Sequence, residues 1–132
     1  MSDRLEPGSD LPELRVTPDK YLPHRYAGAS GDFNPIHIDS DFAEQVGLPR
    51  NILHGLYSMA LVAQAHTAAV GGDPRRLKKL SVQFRGMGVP EKEIVVTGTV
   101  SEGEGGQLTT EAEATQDGNA IIKNASATLA TD

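Results

Sequence analysis

Three chemically versatile side chains stand close together in the segment 30–39, whose sequence is SGDFNPIHID. Asp32 supplies a carboxylate, His37 an imidazole and Asn34 an amide. Because Pro35 disfavours a helical conformation of the residue before it, we expect Asn34 to be extended and the chain to turn here rather than coil. Such a turn can aim Asp32 and His37 at one point, on either side of one water molecule. A histidine and a carboxylate around a water form the pair that general acid–base catalysis requires.

Two other interpretations of these residues are open. Asp and Asn are ordinary turn residues, and a single histidine is more often a hydrogen-bonded polar residue than a catalyst. A metal site is the second alternative, since His37, Asp39 and Asp41 alternate in the segment HIDSD. Asp39 and Asp41 suit the start of a helix better, so we do not expect a metal at these residues.

A second candidate feature is a glycine at the start of an apolar segment, residues 53–70. This segment is rich in Ala and has no polar side, which predicts one long buried helix. Amide N–H groups at a helix N-terminus are unpaired and carry partial positive charge. Gly55 has no side chain to block its N–H, which can donate to a carbonyl oxygen as negative charge develops there. Gly55 can equally serve close packing of the helix against a sheet.

The rest of the chain predicts the elements that position these residues. Before the long helix we expect a short strand at 13–17, a short helix at 24–30 ending at Gly31, and another at 39–47 capped by Asp39 or Ser40. From residue 80 onward apolar residues alternate with polar ones, as in half-buried strands. The short turns between these strands predict an antiparallel meander. The fold class is therefore α+β, with an antiparallel sheet wrapped around one long buried helix.

Composition narrows the class of protein. A chain of 132 residues fits a single domain, and its net charge of −6 argues against bulk nucleic-acid binding. The absence of Cys excludes disulfides, a thiolate nucleophile and Cys-ligated metals. The longest apolar run, 56–63, is too short to span a bilayer, and residues 1–13 lack the apolar core of a signal peptide. We expect a cytoplasmic enzyme or binding module without a nucleic-acid or membrane partner.

Two segments carry a resemblance to a known family. YAGASGDFNPIHID (26–39) and ILHGLYSMALVAQA (52–65) resemble the MaoC-like, or hydratase 2, family of hot-dog-fold enzymes. That family includes (R)-specific enoyl-CoA hydratases and 3-hydroxyacyl-thioester dehydratases. The residues that stand where the family has them are Gly31, Asp32, Asn34, Pro35, His37, His54 and Gly55. The resemblance implies a single hot-dog domain over residues 1–132.

The resemblance also implies a role for each site residue. Asp32 and His37 are similar to the catalytic pair that holds and activates water, and Asn34 to the residue that orients the pair. The Gly55 N–H is similar to the oxyanion donor to a thioester carbonyl. The implied reaction is reversible hydration of a 2-enoyl thioester to an (R)-3-hydroxyacyl thioester, without cofactor or metal. Which of Asp32 and His37 takes the water proton stays open.

The implied partners are a thioester substrate and a second subunit. The substrate would be carried by CoA or by an acyl carrier protein, and Ala60 and Ala63 on the long helix are expected to leave room for its acyl chain. The basic segment 73–79, with Arg85 beyond it, can meet phosphates or form a solvated turn. Single hot-dog units normally pair edge to edge, so a homodimer or a hetero-oligomer with a second hot-dog subunit is expected.

Three functional classes of hot-dog protein have to be compared for this chain. A hydratase or dehydratase is favoured because both catalytic side chains are present. A thioesterase of the same fold would need a carboxylate or another base on the long helix, and residues 56–65 offer none. An accessory subunit without activity would have little reason to keep Asp32, Asn34 and His37 together. A catalytic subunit that works only with a different partner subunit stays open.

Overall fold

The structure, a computed structural model, describes residues 5–131. The helices are α1 Leu22–Ser30, α2 Pro35–Ile38, α3 Ser40–Gln45 and α4 Gly55–Ala69, with a 3₁₀ turn at Pro74–Arg76. The strands are β1 Leu14–Val16, β2 Leu77–Phe84, β3 Ile94–Glu104, β4 Gln107–Gln116 and β5 Asn119–Ala130. The predicted α+β class is confirmed. None of the helices in residues 5–131 is long and apolar enough to cross a membrane.

The strands form one five-stranded antiparallel sheet in the order β1-β3-β4-β5-β2. Strands β3, β4 and β5 make the predicted meander. The extension of that meander to β2 is wrong, because β2 pairs with β5 and not with β3. The connection from Phe84 to Ile94 is too long for a tight hairpin, and the N–H of Arg85 donates to the carbonyl of Ile121 at 2.9 Å. The chain therefore leaves β2 beside β5, and β2 lies at an edge of the sheet.

The core lies between the sheet and one side of α4. The alternating apolar residues of β3, β4 and β5 point into it as predicted, and they include Ile94, Val96, Val100, Leu108, Ala112, Ala114, Ile121, Ala125, Ala127 and Leu129. From α4, Leu61, Val62 and Ala65 pack against them. Burial of this apolar surface is the main free-energy gain that fixes α4 on the sheet.

The burial of α4 is one-sided. Leu61, Val62 and His66 are buried, whereas Leu56 is 63% exposed and Ala60 is exposed as well. The expectation of a helix buried all round is wrong for the single chain, because the sheet covers only one side of it. The predicted start at residue 53 is also two residues early, since His54 occupies the N-cap position. An apolar helix face is left uncovered as a result.

A histidine joins α4 to the sheet inside the core. His66 is fully buried, and its Nδ1–H donates to the carbonyl of Val62 at 2.7 Å. Its Nε2 then accepts a hydrogen bond from the hydroxyl of Thr110 at 2.7 Å. Burial lowers the pKa of His66, because the charged form is poorly solvated there. His66 is therefore held as a neutral imidazole with both nitrogens satisfied.

The short helices before α4 follow local capping rules. As predicted, α1 ends at Gly31, whose φ of 80° suits glycine, and Asp39 caps α3 by accepting from the N–H of Phe42 at 3.2 Å. The segment around Pro35 differs from the prediction, because Pro35 begins the one-turn helix α2. Proline is favoured at the first position of a helix, where no N–H is needed. Asn34 before it is extended as expected, with a ψ of 126°.

Candidate active site

The one-turn helix α2 brings His37 beside Asp32. The distance from Asp32 Oδ2 to His37 Nε2 is 3.8 Å. This is too long for a direct hydrogen bond and leaves both atoms within reach of one bridging water. His37 is buried, at 8% exposure, whereas 54% of the Asp32 side chain is exposed. The pair therefore sits at the surface, with the imidazole embedded and the carboxylate open to an approaching molecule.

The protonation of His37 follows from its other contact. His37 Nδ1 lies 2.9 Å from the backbone carbonyl of Ile52. A carbonyl oxygen can only accept, so Nδ1 carries the proton and Nε2 of the neutral ring has a free lone pair. That lone pair and the Asp32 carboxylate are both acceptors. A water between them can donate one hydrogen to each.

The carboxylate of Asp32 is held by the turn that follows it. The N–H of Asn34 donates to Asp32 Oδ1 at 3.2 Å, which leaves Oδ2 for the His37 side. The Asn34 side chain accepts from the N–H of Ile36 at 3.2 Å and so caps α2. Asn34 thus acts on the pair through the backbone at both ends of the turn.

Gly55 begins α4 next to this pair, since His54 before it contacts both Asp32 and His37. As the first residue of the helix, Gly55 has an N–H without an acceptor in the described part of the chain. A Cβ at Gly55 would lie 3.2 Å from the ring of Phe84, which is tighter than an ordinary contact. Both interpretations of Gly55 therefore keep support: a free N–H for a ligand, and close packing under Phe84.

Asn51 and His54, in the segment that leads into α4, donate hydrogen bonds to the backbone carbonyls of the site residues His37 and Asp32. Asn51 is buried, its Nδ2 donates to the carbonyl of His37 at 2.9 Å, and its Oδ1 accepts from the Ser40 hydroxyl at 2.9 Å. His54 donates from Nε2 to the carbonyl of Asp32 at 3.0 Å. No spacing pattern in the sequence points to Asn51. For His54 the one signal was the resemblance, in which the His54–Gly55 pair stands where the family has it.

The site also contains a set of side chains with metal-ligand chemistry. Ligand atoms of Asp32, His37 and His54 lie within 4.8 Å of one another. The two imidazoles are stacked, with centroids 3.9 Å apart and planes 20° apart, so their in-plane lone pairs do not converge. His54 Nε2 is already engaged by a carbonyl, so only Nδ1 of that ring is left as a possible ligand atom. The alternative set through Asp39 loses that residue to the cap of α3, so a hydrogen-bonded network fits these residues better than a metal.

The basic segment lies at the other end of α4. Arg75 and Arg76 both approach Asp73, at 3.0 and 4.0 Å, and Arg76 also donates to the carbonyl of Thr131. The 15 residues of α4 separate this segment from Gly55 by about 22 Å. These contacts favour a locally paired, solvated turn over a phosphate site that serves the Asp32–His37 pair.

An open groove of about 810 Å³ lies on the outer face of the sheet, away from the site. Its walls are outward-facing strand residues such as Thr97, Glu111 and Ser126. Neither Asp32 nor His37 lines it. The groove therefore adds nothing to the chemistry of the pair.

Known proteins with similar sequences share about half of the chain. Peroxisomal enoyl-CoA hydratase 2 of Arabidopsis thaliana is 41% identical over 73 residues, which is 54% of this chain and 23% of the plant protein. The fatty acid synthase beta subunit hexB of Dothistroma septosporum is 40% identical over 74 residues, 55% of this chain and 4% of the fungal protein. The match thus spans only a small part of the length of these relatives.

Solved structures share the whole fold. A MaoC-like dehydratase superimposes with a TM-score of 0.91 at 25% identity, over 97% of this chain and 41% of its own. The (R)-hydratase from A. caviae involved in PHA biosynthesis superimposes with a TM-score of 0.82 at 20% identity, over 99% and 100% of the two chains. The predicted hot-dog fold is confirmed. Since the family described as MaoC like domain matches residues 7–120, this chain belongs to the MaoC-like family.

Proposed function

We propose that the chain catalyses reversible hydration of a 2-enoyl thioester to an (R)-3-hydroxyacyl thioester. The observation that carries the proposal is the 3.8 Å separation of Asp32 Oδ2 and His37 Nε2, two acceptors that can hold one water between them. Hydration needs a water placed with its oxygen free to attack and with a base at hand for its proton. The pair supplies both requirements.

The reaction then divides between the pair and the start of α4. The water oxygen bonds to the β-carbon of the enoyl group while one of its protons passes to the Asp32–His37 pair. The electron pair of the double bond moves toward the thioester carbonyl, whose oxygen gains negative charge. The N–H of Gly55 donates to that oxygen. The proton returns to the α-carbon from the same side, which completes a syn addition without a cofactor.

The relatives support this reaction class. The Arabidopsis relative is an enoyl-CoA hydratase, and it is 41% identical to this chain over 73 residues. The A. caviae structure is an (R)-hydratase, although its 20% identity supports the fold alone. Because the sequence matches cover only part of each relative, the acyl chain and its carrier, CoA or acyl carrier protein, belong to the proposal.

The test follows the enoyl-thioester ultraviolet absorbance of crotonyl-CoA with the purified protein. We expect Asp32→Asn and His37→Ala to lower kcat by about 10²–10⁴-fold, the usual contribution of general acid–base catalysis. Asp41→Asn is the matched control, since that carboxylate lies in α3 outside the pair. Wild-type rates in both site variants would contradict the mechanism. Release of thiol instead of loss of the double bond would make the protein a thioesterase.

We further propose that the working form pairs two hot-dog subunits. The edge strand β2, Leu77–Phe84, offers eight residues of backbone on its open side, and the uncovered face of α4 lies next to it. Leu56 and Phe84, beside Gly55, are 63% and 53% exposed. Exposed apolar groups around a polar site mark a surface that associates. The partner can be a second copy or a different hot-dog subunit, and the related ChsH1-ChsH2 complex from Mycobacterium tuberculosis, 21% identical with a TM-score of 0.84, is an assembly of two proteins.

Sedimentation measurements on the purified protein decide between these partners. A dimer with hydratase activity supports self-pairing. A monomer that is inactive alone and gains activity with a second hot-dog subunit supports the mixed form. An active monomer would refute the pairing.

A further inference from the structure

The imidazole of His54 lies between two aromatic faces, and it is 2% exposed. On one side the ring of Tyr26 stands 4.6 Å away between centroids, tilted by 43°. On the other side His37 is stacked at 3.9 Å with the planes 20° apart. Although His54 occupies the N-cap position of α4, its side chain does not cap the helix. The side chain instead faces the Asp32–His37 pair.

The hydrogen bonds of His54 define its state. Nε2 lies 3.0 Å from the backbone carbonyl of Asp32, so Nε2 carries the proton. Nδ1 is buried and has no hydrogen-bond partner among residues 5–131. An acceptor left unpaired inside a protein costs stability. An apolar ring would fill the same space without that cost, so packing alone does not explain an imidazole at this position.

We propose that His54 is a positioning residue of the hydration site, an inference that rests on the proposed function. Its Nε2–H fixes the backbone of Asp32, and its face fixes the plane of the His37 ring. These two contacts set the 3.8 Å separation across which the water is held. Because His54 is joined to Gly55 by a peptide bond, it also positions the N–H of Gly55, the oxyanion donor, relative to the water. The side chain of His54 thus positions Asp32 and His37, and its backbone leads directly into the Gly55 N–H.

Two variants separate the two contacts. His54→Gln keeps an N–H donor for the Asp32 carbonyl but removes the flat face. His54→Phe keeps the face, removes the donor and leaves no unpaired Nδ1. The matched control is His24→Gln, an exposed imidazole in α1 whose Nε2 donates to the carbonyl of Ile38 at 3.1 Å. All three are compared with wild type for kcat and KM with crotonyl-CoA and for the urea midpoint of unfolding.

We expect both His54 variants to lower kcat by about 10- to 100-fold, because misplacement of reacting groups by an ångström has effects of that size. KM and the urea midpoint should change little in at least one of them, and His24→Gln should match wild type. A purely structural role would instead lower the midpoint and the amount of active protein while leaving kcat per folded molecule intact. That result, or a kcat within about twofold of wild type in both variants, would overturn the proposal.

A spectroscopic readout keeps this inference separate from the proposed function. The ¹⁵N shifts of the His37 ring report which nitrogen carries its proton, and they are measured without substrate. We expect His37 to populate both its Nδ1–H and its Nε2–H forms in His54→Gln, and to keep the Nδ1–H form in His24→Gln. Unchanged His37 shifts in both His54 variants would refute the positioning role. If the wild type hydrates no enoyl thioester, the proposed function fails, and the shifts still decide whether His54 fixes His37.

Discussion

The role of the Gly55 N–H can be isolated with two substitutions at one position. Gly55→Ala adds a Cβ and keeps the N–H, whereas Gly55→Pro adds the same Cβ and removes the N–H. The backbone accepts both, because proline is favoured at the first position of a helix. His54 before it has φ −65° and ψ 136°, the extended conformation that a residue preceding proline prefers. The difference between the two variants therefore reports the loss of the N–H together with the ring carbon Cδ that takes its place.

The magnitudes follow from the surroundings of Gly55. Loss of one oxyanion donor costs about 10²–10³-fold in kcat, or about 2.7–4 kcal/mol of transition-state stabilisation. The added Cβ lies 3.2 Å from the Phe84 ring in both variants. That ring is 53% exposed and can move aside. Ala and Pro have fewer conformations than Gly in the unfolded chain, which stabilises both variants by about 0.4–1 kcal/mol. This gain offsets the cost of moving the Phe84 ring.

The assay is crotonyl-CoA hydration, with urea unfolding measured on the same preparations. We expect the two variants to unfold at similar urea concentrations and the Pro variant to be at least about 10²-fold slower than the Ala variant. A Pro variant within about threefold of the Ala variant would refute the assignment of the Gly55 N–H as the oxyanion donor. A large loss in both variants, reversed when Phe84 is shortened to Leu, would assign the effect to the displaced ring.

Three further outcomes are expected. Burial lowers the pKa of His66 in the folded protein, so the unfolded chain binds the proton more readily. The free energy of unfolding therefore falls as the pH drops below about 6.5, by at most about 1.4 kcal/mol per pH unit. Urea unfolding at pH 7.5 and 5.5 should show this slope, and His66→Gln should lack it. Arg75→Ala and Lys79→Ala should change KM for crotonyl-CoA by less than about twofold, since Arg75 follows the far end of α4 and Lys79 lies near the start of β2, away from Phe84 at Gly55. A larger rise in KM would restore the basic segment as a phosphate site. Leu56→Asp puts a charge on the uncovered face of α4 and should shift the sedimentation of an assembled protein toward the monomer; unchanged assembly would place the interface elsewhere.

The places where sequence prediction failed share a cause. The edge position of β2 depends on its pairing with β5, which begins 35 residues after β2 ends, and alternation along a strand does not name its neighbours. The burial of α4 depends on how much surface one sheet can cover, and periodicity reports only that the helix is apolar. Asn51 acts through the carbonyl of His37, 14 residues away, a contact for which the local sequence contains no signal.

The local conformations and the chemical groups of the site follow from the sequence alone. Asp39 caps α3, Gly31 ends α1 and Asn34 is extended before a proline. These preferences belong to single residues and their immediate neighbours. The apolar segment that follows Gly55 predicted its place near a helix N-terminus, and the resemblance added its role as oxyanion donor. The proton position on His37, set by the carbonyl of Ile52, and the stacking of His54 on that ring depend on tertiary contacts. Those contacts join segments that come together only when the core closes, and a hydrogen bond or a ring stack has no definite geometry until both partners are fixed in space.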